Sequence, residues 1–112
     1  MTLAECRTRV NATWAVGEDD TIEFSDVVAS DLMSDVLVAS EDQFLLVTSL
    51  TSEQVLRTAD IVDARAILIT NGKQPQPQMK KLAHKQSMPI LVTPFTTFET
   101  CCALADCRDS PG

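Results

Sequence analysis

Nowhere in this chain does an apolar run approach the roughly 18 residues needed to cross a bilayer. The opening MTLAECRTRV holds no apolar signal segment either. These absences exclude a helical membrane span and point to the cytoplasm. Cysteine is sparse: Cys6, Cys101, Cys102 and Cys107, with no C-x-x-C pair. Reduced thiols packed on a helix face are expected, with no metal centre and no cofactor. His84 is the one histidine, set among Lys80, Lys81 and Lys85 with no carboxylate partner close in sequence. Basic residues are outnumbered 9 to 16 by acidic ones, for a net charge of −7. That deficit argues against nucleic acid and against an anionic membrane surface, both of which need clustered cations. Catalytic signatures are missing too. There is no G-x-S-x-G and no Cys–His pairing. TNGKQP has one glycine where a phosphate loop needs G-x-x-x-x-G-K-[ST], so it reads as a turn with Gly72 at positive φ.

What remains is a strong core. The chain has 112 residues, 45% of them hydrophobic, enough for one compact domain over 1–112 with its core at about 15–104. Three apolar runs end alike: FLLVTSLTSE at Thr48, RAILITNGKQ at Thr70 and ILVTPFTTFE at Thr93. Each run is short and continuous, as a strand covered on both faces should be. Each is followed by helical spacing. LTSEQVLRTADIVDA places Val55, Leu56, Ala59 and Val62 inward, with Thr51 and Gln54 resembling a capping box. A helix near Gln78–Gln86 buries Met79, Leu82 and Ala83. Thr96 and Glu99 form a second box, opening a helix that buries Phe98, Cys101, Cys102 and Ala105. DCRDSPG reads as a frayed end. Three successive strand–helix units imply parallel strands joined by right-handed crossovers, an α/β fold.

Upstream, TLAECRTRV reads as a short helix with Leu3, Cys6 and Val10 on one side. NATWAVG reads as a strand with Trp14 and Val16 on one face, and TIEFSDVVA as a strand disturbed near Ser25–Asp26. SDLMSDVLVA reads as a helix capped by Ser30, with Leu32, Met33, Val36 and Leu37 inward and its end near Ser40.

Thr48, Thr70 and Thr93 then all fall at carboxyl ends of parallel strands, the edge where open α/β sheets usually bind ligands. The candidate ligand-binding residues are Asp31, Ser34, Thr48, Ser49, Thr70, Asn71, Gly72, Thr93 and Thr96. Hydroxyls there exchange hydrogen bonds without bringing charge. Helix starts after Thr51 and Thr96 offer backbone N–H groups to an anion. Asp31 could hold a ligand hydroxyl, a ring nitrogen or a partner's Lys or Arg. The competing structural reading is that these residues only cap helices.

VASDLMSDVLVAS, FLLVTSLTSEQVLRTADIVDARAILITNGKQP and MPILVTPFTTFETCCAL resemble the DRTGG-domain family, which is similar to the N-terminal domain of HPr kinase/phosphorylase. SDLMSDV, Ser30 to Val36, is the most specific piece; the family's name-giving string is absent. The resemblance implies an α/β domain with a mainly parallel sheet flanked by helices. It also implies a regulatory or ligand-sensing role rather than catalysis: kinase activity in larger relatives belongs to a separate P-loop domain. The expected partners are a small-molecule or nucleotide ligand or, alternatively, a hydrogenase or other electron-transfer complex for which the chain is an accessory. A homodimer is the expected assembly, because small domains with open sheet edges often pair.

Overall fold

The computed structural model describes residues 1–109; the last three residues of DCRDSPG lie outside them. Helix α1 (Leu3–Val10) leads into strand β1 (Thr13–Val16) and strand β2 (Asp26–Ala29). Helix α2 (Met33–Leu37), strand β3 (Phe44–Thr48), helix α3 (Glu53–Ile61) and strand β4 (Ala66–Ile69) follow. Helix α4 (Pro77–Gln86), strand β5 (Ile90–Val92), helix α5 (Thr97–Ala103) and a 3₁₀ turn (Cys107–Asp109) complete the order. The sheet runs β1-β5-β4-β3-β2; β2 to β5 are parallel and β1 is antiparallel to β5. This is the α/β fold, mainly parallel and flanked by helices, that the sequence predicts.

Alternation along the strands divides the core in two. Phe44, Leu46, Ile67, Ile69, Ile90 and Val92 face α2, α3 and α4. Leu45, Val47, Ala66, Leu68 and Leu91 face α1, Leu104 and Cys107. The period of two in a β-strand sends neighbours to opposite faces. Both faces are covered, so every residue of β3, β4 and β5 is buried.

Helix α1 buries Leu3, Cys6 and Val10 as its spacing predicts. Four other details depart from the sequence reading. Helix α2 is only five residues long; it starts after Leu32, and Ser30 does not cap it. Ser30 Oγ instead accepts the Leu32 N–H at 3.0 Å in a local turn, an alternative to capping open to any short hydroxyl side chain. Leu32 and Leu37 are therefore exposed, not core. In β1 a register shift between Trp14 and Val16 puts the two side chains in different halves of the core. Helix α3 starts after Ser52 with no side-chain cap, so the expected Thr51–Gln54 box is absent.

The fourth is α5, which has the Thr96–Glu99 box but is rotated. Thr100 and the following Leu104 are buried, whereas Phe98, Cys102 and Ala105 are exposed. The chain beyond it is not frayed at Cys107, which packs into the core. Arg108 forks onto Asp26, with bonds of 2.9 Å to each carboxylate oxygen, while Asp26 also accepts the Val27 N–H at 2.9 Å. That pair covers one end of the open edge at β2, a common protection of exposed edges.

Candidate functional site

The carboxyl ends of β2 to β5 lie side by side, and the loops that leave them determine what the edge can offer. The helices after β2, β3 and β4 cover one face, while α5 after β5 turns to the other. Loops diverging from adjacent strands open a crevice in α/β sheets, which places the expected one between β4 and β5. Here that place is closed by the chain itself. The Asn71 N–H donates to Phe95 O at 2.7 Å, and the Gly72 N–H to Thr93 O at 2.9 Å. The Thr70 and Thr97 hydroxyls share a bond of 2.8 Å, and Asn71 Nδ2 donates to Thr70 Oγ1 at 3.1 Å.

Thr93 is buried too. Its hydroxyl donates to the Val10 carbonyl and accepts the Phe95 N–H. Thr96 accepts the Glu99 N–H at 3.1 Å and its own N–H is taken by the Glu99 carboxylate at 2.9 Å. That box holds the Glu99 carboxyl below its ordinary range and uses the helix start. Asn71 and Gly72 are both left-handed, at φ 64° and 67°, and a Cβ at Gly72 would meet nothing within 4 Å. Gly72 therefore serves the turn and no close contact.

Over β2 and β3 the arrangement is different. Asp31 stands between β2 and α2 and receives three donors: the Ser49 N–H at 2.7 Å, the Ser49 hydroxyl at 2.6 Å and the Thr48 hydroxyl at 2.9 Å. Thr48 is fully buried and its oxygen also accepts the Leu50 N–H. Ser49 holds the Asp31 carboxyl below its ordinary value of 3.8, first through its backbone N–H and then through its hydroxyl. Thr48 and the positive charge of Lys73 act in the same direction, against partial desolvation. Asp31 and Lys73 are exposed. Ser34 is exposed on α2.

The sequence-predicted residues thus separate into two groups. Asp31, Thr48 and Ser49 come together over β2 and β3, with Ser34 on the adjacent helix. Thr70, Asn71, Gly72, Thr93 and Thr96 lie over β4 and β5, where Thr97, Phe95, Val10 and Glu99 take up most of their polar atoms. The cause is the alternation along the strands: Thr48 points to the α2 face, while Thr70 and Thr93 point to the α1 and α5 face. Sequence reasoning missed Lys73 and Thr97. The signals were present, a cation directly after the Asn-Gly turn and a second threonine beside the Thr96 cap.

The chemistry at this edge is hydrogen bonding and charge. Among the described residues no three His, Cys, Asp or Glu side chains are grouped to hold a metal ion, and no helix is long and apolar enough to cross a membrane. The largest hollow described, about 360 Å³, lies at the opposite end of the sheet beside Gly17, Asp19, His84 and Pro89.

The DRTGG domain profile matches residues 7–107. This chain belongs to the DRTGG domain family. No curated protein matches it. Among solved structures it is similar to the CBS and DRTGG domains of the regulatory region of Clostridium perfringens pyrophosphatase, crystallised with the activator diadenosine tetraphosphate. The TM-score is 0.69 at 14% identity, covering 95% of this chain and 46% of that one. The likeness establishes the DRTGG fold, and the chain spans less than half of that regulatory region.

Proposed function

We propose that this DRTGG domain is a non-catalytic regulatory module that binds a small molecule or nucleotide at the carboxyl edge of its parallel sheet. The observation that carries the reading is the convergence of three donors on one solvent-facing point at the tip of β3, beside Lys73. The pyrophosphatase regulatory region, whose structure was solved with a nucleotide activator, supports it. A homodimer is part of the reading, because small domains with open sheet edges often pair. Kinase chemistry is not, because the chain has no loop to hold ATP phosphates.

The test is calorimetric titration and thermal melting with AMP, ATP and diadenosine tetraphosphate. A ligand that binds only the folded state raises stability by about 2.7 kcal/mol at a hundredfold excess over Kd. A melting temperature unmoved by all three at millimolar concentration removes nucleotides from the reading. ATP consumption above a heat-treated control removes its non-catalytic part.

A second reading, an accessory protein of a hydrogenase or other electron-transfer complex, is favoured by Leu32, Leu37 and Val38, which are 57%, 46% and 80% exposed around α2. Apolar surface of this kind suits a protein partner. Co-purification of such subunits with the untagged chain tests it.

A further inference from the structure

In the grouping of Asp31, Thr48 and Ser49, one carboxylate sits among three donors. A carboxylate only accepts hydrogen bonds, and here a backbone N–H and two hydroxyls donate to it at 2.6 to 2.9 Å. The same three donors are of the kind that bind a phosphate oxygen, which also only accepts hydrogen bonds. We propose that Asp31 is an internal occupant of this site, which the phosphate group of a ligand displaces on binding. The proposal rests on the reading of the carboxyl edge as the ligand site and specifies what it recognises there.

Three further observations support exchange at this point. First, Asp31 is tethered through the turn before a five-residue helix without a side-chain cap. Its displacement breaks no helix. Second, backbone donors over β4 and β5 are already used: the N–H groups of Asn71, Gly72, Thr96 and Glu99 all have partners within the chain. Third, the exposed Lys73 bears on Asp31 electrostatically and would balance an arriving phosphate as it now balances the carboxylate.

Asp31 lies two residues before α2, so its release would loosen the turn at Leu32 that leads into the helix, while Met33 and Val36 keep the helix in the core. A ligand that binds one arrangement of this turn better than the other shifts the population between them. The same contact thus couples ligand to surface.

The test uses the full chain. Inorganic phosphate, AMP and adenosine are titrated at fixed ionic strength into the parent, Asp31→Asn, Asp31→Ala and the double variant Asp31→Ala/Ser49→Ala, with amide NMR shifts of Ser49 as the readout. Circular dichroism confirms the fold of each, and Asp31→Asn keeps the turn occupied should Asp31→Ala disturb it. The expected result is phosphate binding at least tenfold tighter in Asp31→Ala than in the parent, with Asp31→Asn between them. Adding Ser49→Ala removes one of the three donors and should reduce the gain, AMP should follow phosphate, and adenosine should not. Phosphate binding in Asp31→Ala and Asp31→Asn equal to or weaker than in the parent overturns the proposal and makes Asp31 a clasp or a direct ligand contact. Loss of AMP binding in Asp31→Ala, with the parent binding it, has the same effect and leaves the carboxyl-edge reading standing. A parent that binds no nucleotide, beside an Asp31→Ala variant that takes up phosphate at Ser49, instead removes the function and retains the oxyanion site.

Discussion

The hydroxyl of Thr93, at the end of β5, donates to the carbonyl oxygen of Val10, the last residue of α1. Eighty-three positions separate the two. Thr93 is 1% exposed, and its oxygen also accepts the Phe95 N–H. One side chain thus joins the first helix to the last parallel strand and holds the turn that follows it.

Thr93→Val keeps the shape of the side chain but leaves a buried carbonyl and an N–H without their partner. Orphaning buried polar groups costs about 1–3 kcal/mol. Denaturant unfolding should show that loss in the midpoint, with an unchanged slope. A Thr93→Val protein as stable as the parent would mean that the bond contributes nothing. On sequence grounds the same substitution is nearly neutral, because Thr93 reads as a ligand contact at an exposed edge.

Acid titration should reveal the Asp31 contacts directly. The folded-state carboxyl is held below its ordinary 3.8 by the Ser49 N–H and hydroxyl first, then by Thr48 and Lys73. A depressed carboxylate contributes stability above its unfolded pKa, and that contribution is lost as pH falls through the folded one. The loss therefore begins near pH 4 and is complete below the folded value. Asp31→Asn should flatten this part of the stability profile and leave neutral pH the less stable by comparison. NMR of the Asp31 carboxyl should give a midpoint below 3.8 that rises in Ser49→Ala; a midpoint at or above 3.8 in the parent contradicts the geometry.

The sheet was legible in the sequence because buried parallel strands are continuous apolar runs: Phe44–Thr48 is read without error, and β4 and β5 to within a residue at their ends. Helices α1 and α4 were legible from spacing. Where the reading failed, two local solutions were close in energy. Ser30 serves a turn as readily as a helix cap, and a one-residue irregularity in β1 reverses Trp14 against Val16. The candidate site was legible as a list of residues at one edge. It was not legible as two groups, because whether Thr48 and Thr70 share a face depends on where each strand's alternation begins, which only pairing fixes.

Leu32 and Leu91 separate the expected core from the observed one. Leu91 is fully buried between β4 and β1, and Leu32 is 57% exposed. Leu91→Ala should cost ~2–5 kcal/mol through lost transfer energy and a residual cavity. Leu32→Ala should stay within about 0.5 kcal/mol, as surface substitutions do. Thermal and denaturant unfolding of the two variants measure the difference, and equal losses would place Leu32 in the core after all.

Thiol reactivity should rank the four cysteines by burial. Cys102 is exposed on α5, Cys101 is half-buried, Cys6 lies in the core between α1 and the sheet, and Cys107 is buried in the 3₁₀ turn in the same half of the core. The thiolate is the reacting species, so whatever raises a thiol pKa slows it. Burial pushes the Cys6 thiol up to about 12 and raises those of Cys101 and Cys107 as well. Ellman's reagent at pH 8 should therefore label Cys102 rapidly and Cys101 slowly. Cys6 and Cys107 should react only at the rate of global unfolding, and all four should react at once in denaturant. Peptide mapping after a brief pulse identifies the labelled sites. Rapid native labelling of Cys6 would show that α1 opens away from the sheet, and with it the contact between Val10 and Thr93.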